Sequence, residues 1–373
     1  MTPPTASYTQ LPKHLISRSL KRLLAIAALI PSLAIAADSA VFLQYHHVSD
    51  KTPAITSITP EMFKQHLDYL DENGFNVAPI EATAKAIQNG EPVPDKTVVI
   101  TFDDAYKNIY ENAFPVLKEK GWPFTIFVST QPVDRGFNNF LTWEQLREMA
   151  RSGATIANHT TNHPHMPEKQ PGESDLAWLE RSRKEITGTE QRIREKTGQS
   201  VKMLAWPFGE TTPELRKMIS EMGYIGFGQQ SGAIGPLSDF TRLPRYPMSG
   251  NYSDLSGFRT KINSKPLPVT RQEPENALVN PKDLTPSFTL TLADGRYHGN
   301  YQKQQISCYV SGQGKVEVEW LDKEKTRFTT RAKSPLPVGR SRYNCTAPSI
   351  DGSHYYWFSH QWLRLTEDGK AID

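Results

Sequence analysis

Residues 97–104 read TVVITFDD. Thr97, Val98, Val99, Ile100 and Thr101 are all β-branched, with no polar alternation. A short run of that kind is a strand buried on both faces, as in a parallel sheet. It stops in two acids, Asp103 and Asp104. Neighbouring side chains on an extended backbone point opposite ways, so the two carboxylates can take different work. Working outward, the same kind of run recurs as AVFLQY (40–45), FTIFV (124–128), ATIA (154–157), KMLAW (202–206) and YIGFG (224–228). Helix signals lie between them. Thr59-Pro60 opens one helix, with Met62, Phe63, Leu67 and Leu70 on one face and Gly74 at its end. Thr142 opens a second with a capping box to Gln145, ended by Gly153. Thr212-Pro213 opens a third, ended by Gly223. Strand–helix alternation over this length predicts an α/β domain on a parallel sheet, open or closed into a barrel. In barrels the carboxyl ends of the strands carry the active site, which is where Asp103 and Asp104 fall.

From about Thr270 the rhythm changes. Residues 271–286, RQEPENALVNPKDLTP, are polar and proline-marked and read as a linker. SFTLTL, QISCYV, KVEVEW, TRFTTRA and HYYWFSHQWLRL follow, several alternating with period two. These predict a small β-sandwich over residues 287–373. Its aromatic run His354-Tyr355-Tyr356-Trp357-Phe358 is expected as a core strand, with sugar stacking as the alternative.

The net charge of +3 makes no case for nucleic acid. Lys13, Arg18, Lys21 and Arg22 precede the apolar LLAIAALIPSLAIA (23–36), which ends in Ala34-Ile35-Ala36. Basic, apolar and small-residue segments in that order predict a signal peptide over residues 1–36, cleaved before Ala37. The expected location is periplasmic or secreted, with no transmembrane anchor in the mature chain. In an oxidising compartment Cys308 and Cys345 are expected to form a disulfide, closing a loop of about 37 residues that contributes ~3–4 kcal/mol in the chain-entropy model.

A second polar cluster, Asn158-His159-Thr160-Thr161-Asn162-His163, follows the run ATIA. Two imidazoles at this spacing can converge on one metal ion, here from a loop, because Pro164 and the threonines disfavour helix. Asp104, His159 and His163 supply one oxygen and two nitrogens for a divalent cation, with His165 a rival ligand. Asp103 is left over as a base.

TFDD on a strand, then HTTNH about 55 residues on, resembles the polysaccharide deacetylase (NodB-homology) family of metal-dependent carbohydrate esterases. The resemblance spans roughly residues 40–250. It implies that Asp103 is the general base and that Asp104, His159 and His163 hold the metal, zinc by default, with cobalt, nickel or iron as alternatives. Trp206-Pro207-Phe208-Gly209 looks like the family's third motif, with Ala205 where that motif carries arginine. Arg245, in LPRYP, is the candidate to replace it; otherwise it is a surface arginine. The Phe208 N–H matches the family's oxyanion donor. The Trp206 and Phe208 rings either pack on a sugar or fill the barrel. Tyr45-His46-His47 is similar to the start of the subgroup acting on poly-N-acetylglucosamine, and no late Leu-x-His motif supplies a general acid, which leaves His46 for that role.

The expected architecture is therefore α/β: a distorted (β/α) barrel deacetylase domain (37–270), a linker (271–286) and a small C-terminal β-sandwich (287–373). The expected activity is hydrolysis of linear-amide C–N bonds, removing acetyl groups from an N-acetylglucosamine polysaccharide, the β-1,6-linked polymer first. O-acetyl ester hydrolysis, a chitin- or peptidoglycan-type substrate, and a weakly catalytic glycan-binding protein are the alternatives. The sandwich is expected to bind glycan, to meet a partner in an export complex, or to brace the barrel.

Overall fold

The computed structural model describes residues 1, 2, 4, 36–295 and 299–372. The predicted signal peptide lies almost entirely outside them. Among the described residues no helix is long and apolar enough to cross a membrane.

The predicted buried runs form the barrel strands β1 (Ala40–Tyr45), β2 (Thr97–Phe102), β3 (Phe124–Val128), β4 (Ala154–Asn158), β5 (Met203–Ala205) and β6 (Ile225–Phe227). They lie side by side in chain order, every neighbouring pair parallel. The sheet curls: the rings of Phe42 on β1 and Phe227 on β6, opposite ends of that row, stack at 5.7 Å. A short strand β7 (Tyr246–Pro247) pairs with β1, while Leu243 just before it bridges to Phe227, so residues 243–247 span the gap between first and last strands. This is the distorted barrel the alternation predicts.

Helices form on the outside, where the sequence places them. α1 (Pro60–Glu72) is capped by the Thr59 hydroxyl, α2 (Trp143–Arg151) carries the full Thr142–Gln145 capping box, and α4 (Pro213–Glu221) is capped by Thr212. Between the last two runs the long α3 (Asp175–Thr197), capped by Ser174. Alternate strand residues divide the core. Leu43 and Tyr45 pack outward with Phe63, Leu67 and Leu70 of α1, whereas Phe42, Val99, Phe127, Ala205, Phe227 and Leu243 share a separate cluster inside. Each such large side chain contributes ~1.5–3 kcal/mol on burial. Trp206 is fully buried in a third cluster, and its Nε1 donates to Thr241 O at 2.9 Å. That corrects one expectation: with no exposed face, Trp206 is a core residue and cannot stack on a sugar.

His66 on α1 is a polar exception in this core. Its Nδ1 meets the Tyr45 hydroxyl at 3.0 Å and its Nε2 the Ser253 carbonyl at 2.8 Å. Burial pushes its pKa down to about 4. The unfolded chain therefore binds the extra proton first, so this contribution to stability is complete above about pH 6.5 and is lost as pH falls towards 4. His66→Gln, which keeps both hydrogen-bond types without titrating, is expected to flatten the fall in unfolding free energy across that window. An unchanged slope would assign the effect to other groups.

The C-terminal strands form two facing sheets around Phe288, Leu290, Phe328, Tyr343 and Trp362. One contains β8 (Val269–Glu273), β9 (Ser287–Leu292), β12 (Val318–Trp320) and β13 (Arg327–Arg331), in the order β8-β9-β13-β12. The other contains β10 (Ser307–Val310), β11 (Gly314–Val316), β14 (Gly339–Pro348) and β15 (Tyr355–Arg364), in the order β15-β14-β10-β11, with the two-residue strand Lys265–Pro266 paired parallel to the outer side of β15. One sequence expectation changes here. β8 starts the sandwich inside the residues read as barrel end and linker. Its polar composition misled because it is an edge strand, with Thr270 and Arg271 exposed. The disulfide joins Cys308 and Cys345, directly opposed on β10 and β14 with Cα atoms 4.1 Å apart. This is the expected pairing, and it ties two strands of one sheet.

Both faces of the β14–β15 ribbon make tertiary contacts. Tyr343, Trp362 and Cys345 point into the sandwich. From the opposite face Arg340, Gln361 and Trp357 reach barrel residues: Glu210, Phe208 and Tyr246 respectively.

Candidate active site

The site sits at the carboxyl ends of β1, β2, β4 and β5. Asp103 and Asp104 follow β2, His46 follows β1, the segment His159–His163 follows β4, and Phe208 lies in the turn after β5. The backbone there is forced into unusual shapes. Asp104 (φ 70°), Ala105 (66°), Thr160 (66°), His163 (54°) and Phe208 (59°) are all left-handed non-glycine residues. Such residues cost ~1–2 kcal/mol each and persist only where their surroundings hold them.

The holding contacts are specific. Asn158 Oδ1 accepts from Thr160 N, and Asn158 Nδ2 donates to Ile186 O on α3. The Glu185 carboxylate, also on α3, accepts from the backbone N–H groups of Thr161 and Asn162. The histidine loop is thereby tied to the helix behind it.

Asp104 lies between the two histidines of that loop. Its Oδ1 is 3.2 Å from His159 Nε2 and 3.3 Å from His163 Nε2. One ligand atom from each of the three falls within 4.8 Å of the others. His159 Nδ1 is engaged by Ala205 O at 2.8 Å, which fixes the tautomer with its lone pair on Nε2. That Nε2 is buried and makes no hydrogen bond among the described residues. A carboxylate oxygen and two imidazole nitrogens converge there. Burial resists charging His159, but the adjacent Asp104 outweighs it and raises the imidazole pKa. Burial would raise Asp104, and its three histidine neighbours hold it well below the usual carboxylate range instead. The cluster therefore favours a positive charge at its centre, and the donor set suits a divalent cation. His165, the rival ligand, is turned away: its Nδ1 meets Glu210 Oε2 at 2.8 Å and its ring stacks on Phe208.

Asp103 faces the other way, into the barrel. Arg245 grips it with both arms, Nη1 to Oδ1 at 2.7 Å and Nη2 to Oδ2 at 2.8 Å. Arg245 is fully buried, donates from Nε to Gly228 O, and lies over the Phe127 ring. The candidate to replace the third motif's arginine is thus not a surface residue; its contacts are to the Asp103 carboxylate and to the barrel wall. Burial works to raise the Asp103 pKa, but the Arg245 charge and the nearby imidazoles outweigh it and hold the group at about 2. His46 Nε2 stands 3.9 Å from Asp103 Oδ2. His47 is spoken for, stacked on Tyr106 and bonded to Asn108.

Sequence reasoning missed several contributors. Gln44 donates to Asp103 Oδ2 at 2.6 Å. Its signal was present: a lone amide in the otherwise apolar run AVFLQY. Glu210, Arg340 and Gln361, which surround the Phe208 turn, carried no such signal, because two of them come from the sandwich.

The polysaccharide deacetylase family model matches residues 90–226. The chain is 30% identical over 224 residues to a putative polysaccharide deacetylase of Bacillus subtilis, covering 60% of this chain and 75% of that protein. It is 25% identical over 259 residues to the poly-β-1,6-N-acetyl-D-glucosamine N-deacetylase of Escherichia coli K12, covering 60% of this chain but only 38% of that protein. The structure of IcaB from Ammonifex degensii superposes with a TM-score of 0.52 at 25% identity, covering 58% of this chain and 94% of that one.

Proposed function

The chain belongs to the polysaccharide deacetylase family, and from that premise we propose that it removes acetyl groups from N-acetylglucosamine residues of an exported polysaccharide, the β-1,6-linked polymer first. The observation that carries this reading is the split of the aspartate pair. Asp104 joins His159 and His163 in a cation-shaped cluster, while Asp103 stands outside it in the grip of Arg245. The β-1,6 polymer is favoured because relatives bear that name. A periplasmic or secreted location and zinc as the ion belong to the same proposal.

A divalent cation held by Asp104, His159 and His163 would supply the polarised acetyl carbonyl and the acidified water that a carboxylate as weakly basic as Asp103 needs. Asp103 stays ionised at every working pH and takes the proton of the attacking water. Arg245 and Gln44 fix both of its oxygens, so it meets that water without rotating. The N–H of Phe208 donates to the oxyanion that develops on the acetyl carbonyl oxygen. His46, on the Asp103 side, passes a proton to the departing amine.

The test is acetate release by the metal-reloaded protein from β-1,6-linked N-acetylglucosamine oligomers, beside chitin oligomers and a chelated control. Chelator-sensitive release confined to the β-1,6 series is expected. Release from chitin oligomers alone would overturn the substrate assignment. Silence on both, with release from an acetylated xylan, would replace amide by ester hydrolysis.

A further inference from the structure

The Phe208 turn is assembled from two domains. Phe208 itself is left-handed (φ 59°, ψ 3°), and the next residue must be glycine: a Cβ on Gly209 would meet Gln229 N at 2.7 Å. A phenylalanine does not hold that conformation unaided. The barrel supplies half of the restraint. The Phe208 ring stacks on His165 at 4.0 Å and meets His163 edge-on at 4.5 Å. The sandwich supplies the rest. Gln361 on β15, buried, donates from Nε2 to Phe208 O at 3.0 Å. Arg340 on β14 lies over the Phe208 ring at 5.0 Å and pairs with Glu210 Oε1 at 3.2 Å. The other oxygen of Glu210 takes His165 at 2.8 Å, so one buried carboxylate couples the sandwich arginine to the ring that stacks on Phe208.

The carbonyl of Phe208 belongs to the peptide after its Cα, and the N–H belongs to the peptide before it. Fixing the carbonyl and the ring together sets ψ and the side chain and so anchors the Cα, and the left-handed φ of 59° then sets the direction of the N–H. We propose that Gln361 and Arg340 are positioning residues, through which the C-terminal sandwich aims the Phe208 N–H at the reacting acetyl group. The sandwich is then part of the catalytic apparatus. This rests on the deacetylase reading, in which that N–H serves the oxyanion.

The test uses the full chain with Gln361→Leu and, separately, Arg340→Ala. A misaimed oxyanion donor is expected to lower kcat by roughly tenfold to a hundredfold, somewhat less than the loss of such a donor outright. KM should stay within about twofold and bound metal per chain should not change, since neither residue touches the cation cluster. Backbone amides of residues 208–210 should exchange hydrogen faster than in the unaltered chain. Arg340→Lys, which keeps the charge towards Glu210, should recover part of kcat. Arg331→Ala, which breaks an exposed pair between the end of β13 and Asp283, should leave kcat alone. Unchanged exchange at 208–210, or faster exchange with unchanged kcat, would overturn the proposal. So would a kcat loss explained by lost metal, or an equal loss in Arg331→Ala. If the unaltered chain releases no acetate, the deacetylase reading fails and the catalytic half of this proposal fails with it. The exchange measurement still decides whether the sandwich holds the turn.

Discussion

Asp103→Asn is expected to reduce acetate release by about 10²–10⁴-fold, the usual contribution of a positioned base, while the protein keeps its metal. The structure separates the two effects. Asp103 faces Arg245, Gln44 and His46, whereas the cation cluster is drawn from Asp104, His159 and His163. Asparagine matches aspartate in shape, so one Arg245 arm keeps its oxygen acceptor and the other is set against an amide donor. Some loss of stability is therefore expected alongside the loss of turnover, and the variant has to be assayed where it is still folded. Metal content measured on the purified variant decides the assignment. If the ion leaves with the charge of Asp103, that residue is a ligand and the roles given to the pair are wrong.

Arg245→Gln is expected to destabilise the protein at neutral pH by about 3–5 kcal/mol, the cost of stranding one partner of a buried ion pair. Both residues are fully buried, and the carboxylate would keep Gln44 as its chief remaining donor. The pH dependence carries the sign. In the unaltered chain Asp103 sits at about 2, below its unfolded value, so its contribution is present above about pH 4 and is lost as pH falls through 2. Without the guanidinium, burial prevails and the Asp103 pKa rises above the unfolded value. Protonation then relieves the stranded charge, and the deficit of the variant should shrink on acidification. Denaturant unfolding of both proteins at pH 7 and pH 5 measures this. Equal stability at pH 7 would mean that another cation already compensates Asp103. The acid limb of the rate profile should also move towards neutrality, because the base would now be protonated over more of the range.

Much of the barrel was legible because its causes are local. TVVITF, FTIFV and their fellows are too short and too β-branched to be helices, and Thr59-Pro60 or Thr142…Gln145 mark helix starts by hydrogen bonds that close within four residues. The residues of the cation cluster were legible for a related reason. Asp104 ends one such strand, and His159 and His163 follow another. In a parallel sheet the carboxyl ends of all strands lie on one edge, so chain order alone brings them together. The edge strand β8 was missed because one solvated side removes the hydrophobic pattern by which strands are recognised.

By itself, then, the sequence determined the α/β barrel, the sandwich after it, the family, and the three residues of the cation cluster, Asp104, His159 and His163. Only the tertiary structure decided what surrounds them. It seated Arg245 on Asp103, 142 residues away in the chain, because the segment 243–247 crosses from β6 to β1 to complete the barrel wall. It buried Trp206, whose ring could equally have faced a sugar. It brought Gln361 to the Phe208 carbonyl, 153 residues away. Periodicity and capping are properties of neighbouring residues and can be read along the chain. Barrel closure and the seating of one domain on another depend on which surfaces meet after those elements have formed, and no short stretch of sequence carries that information.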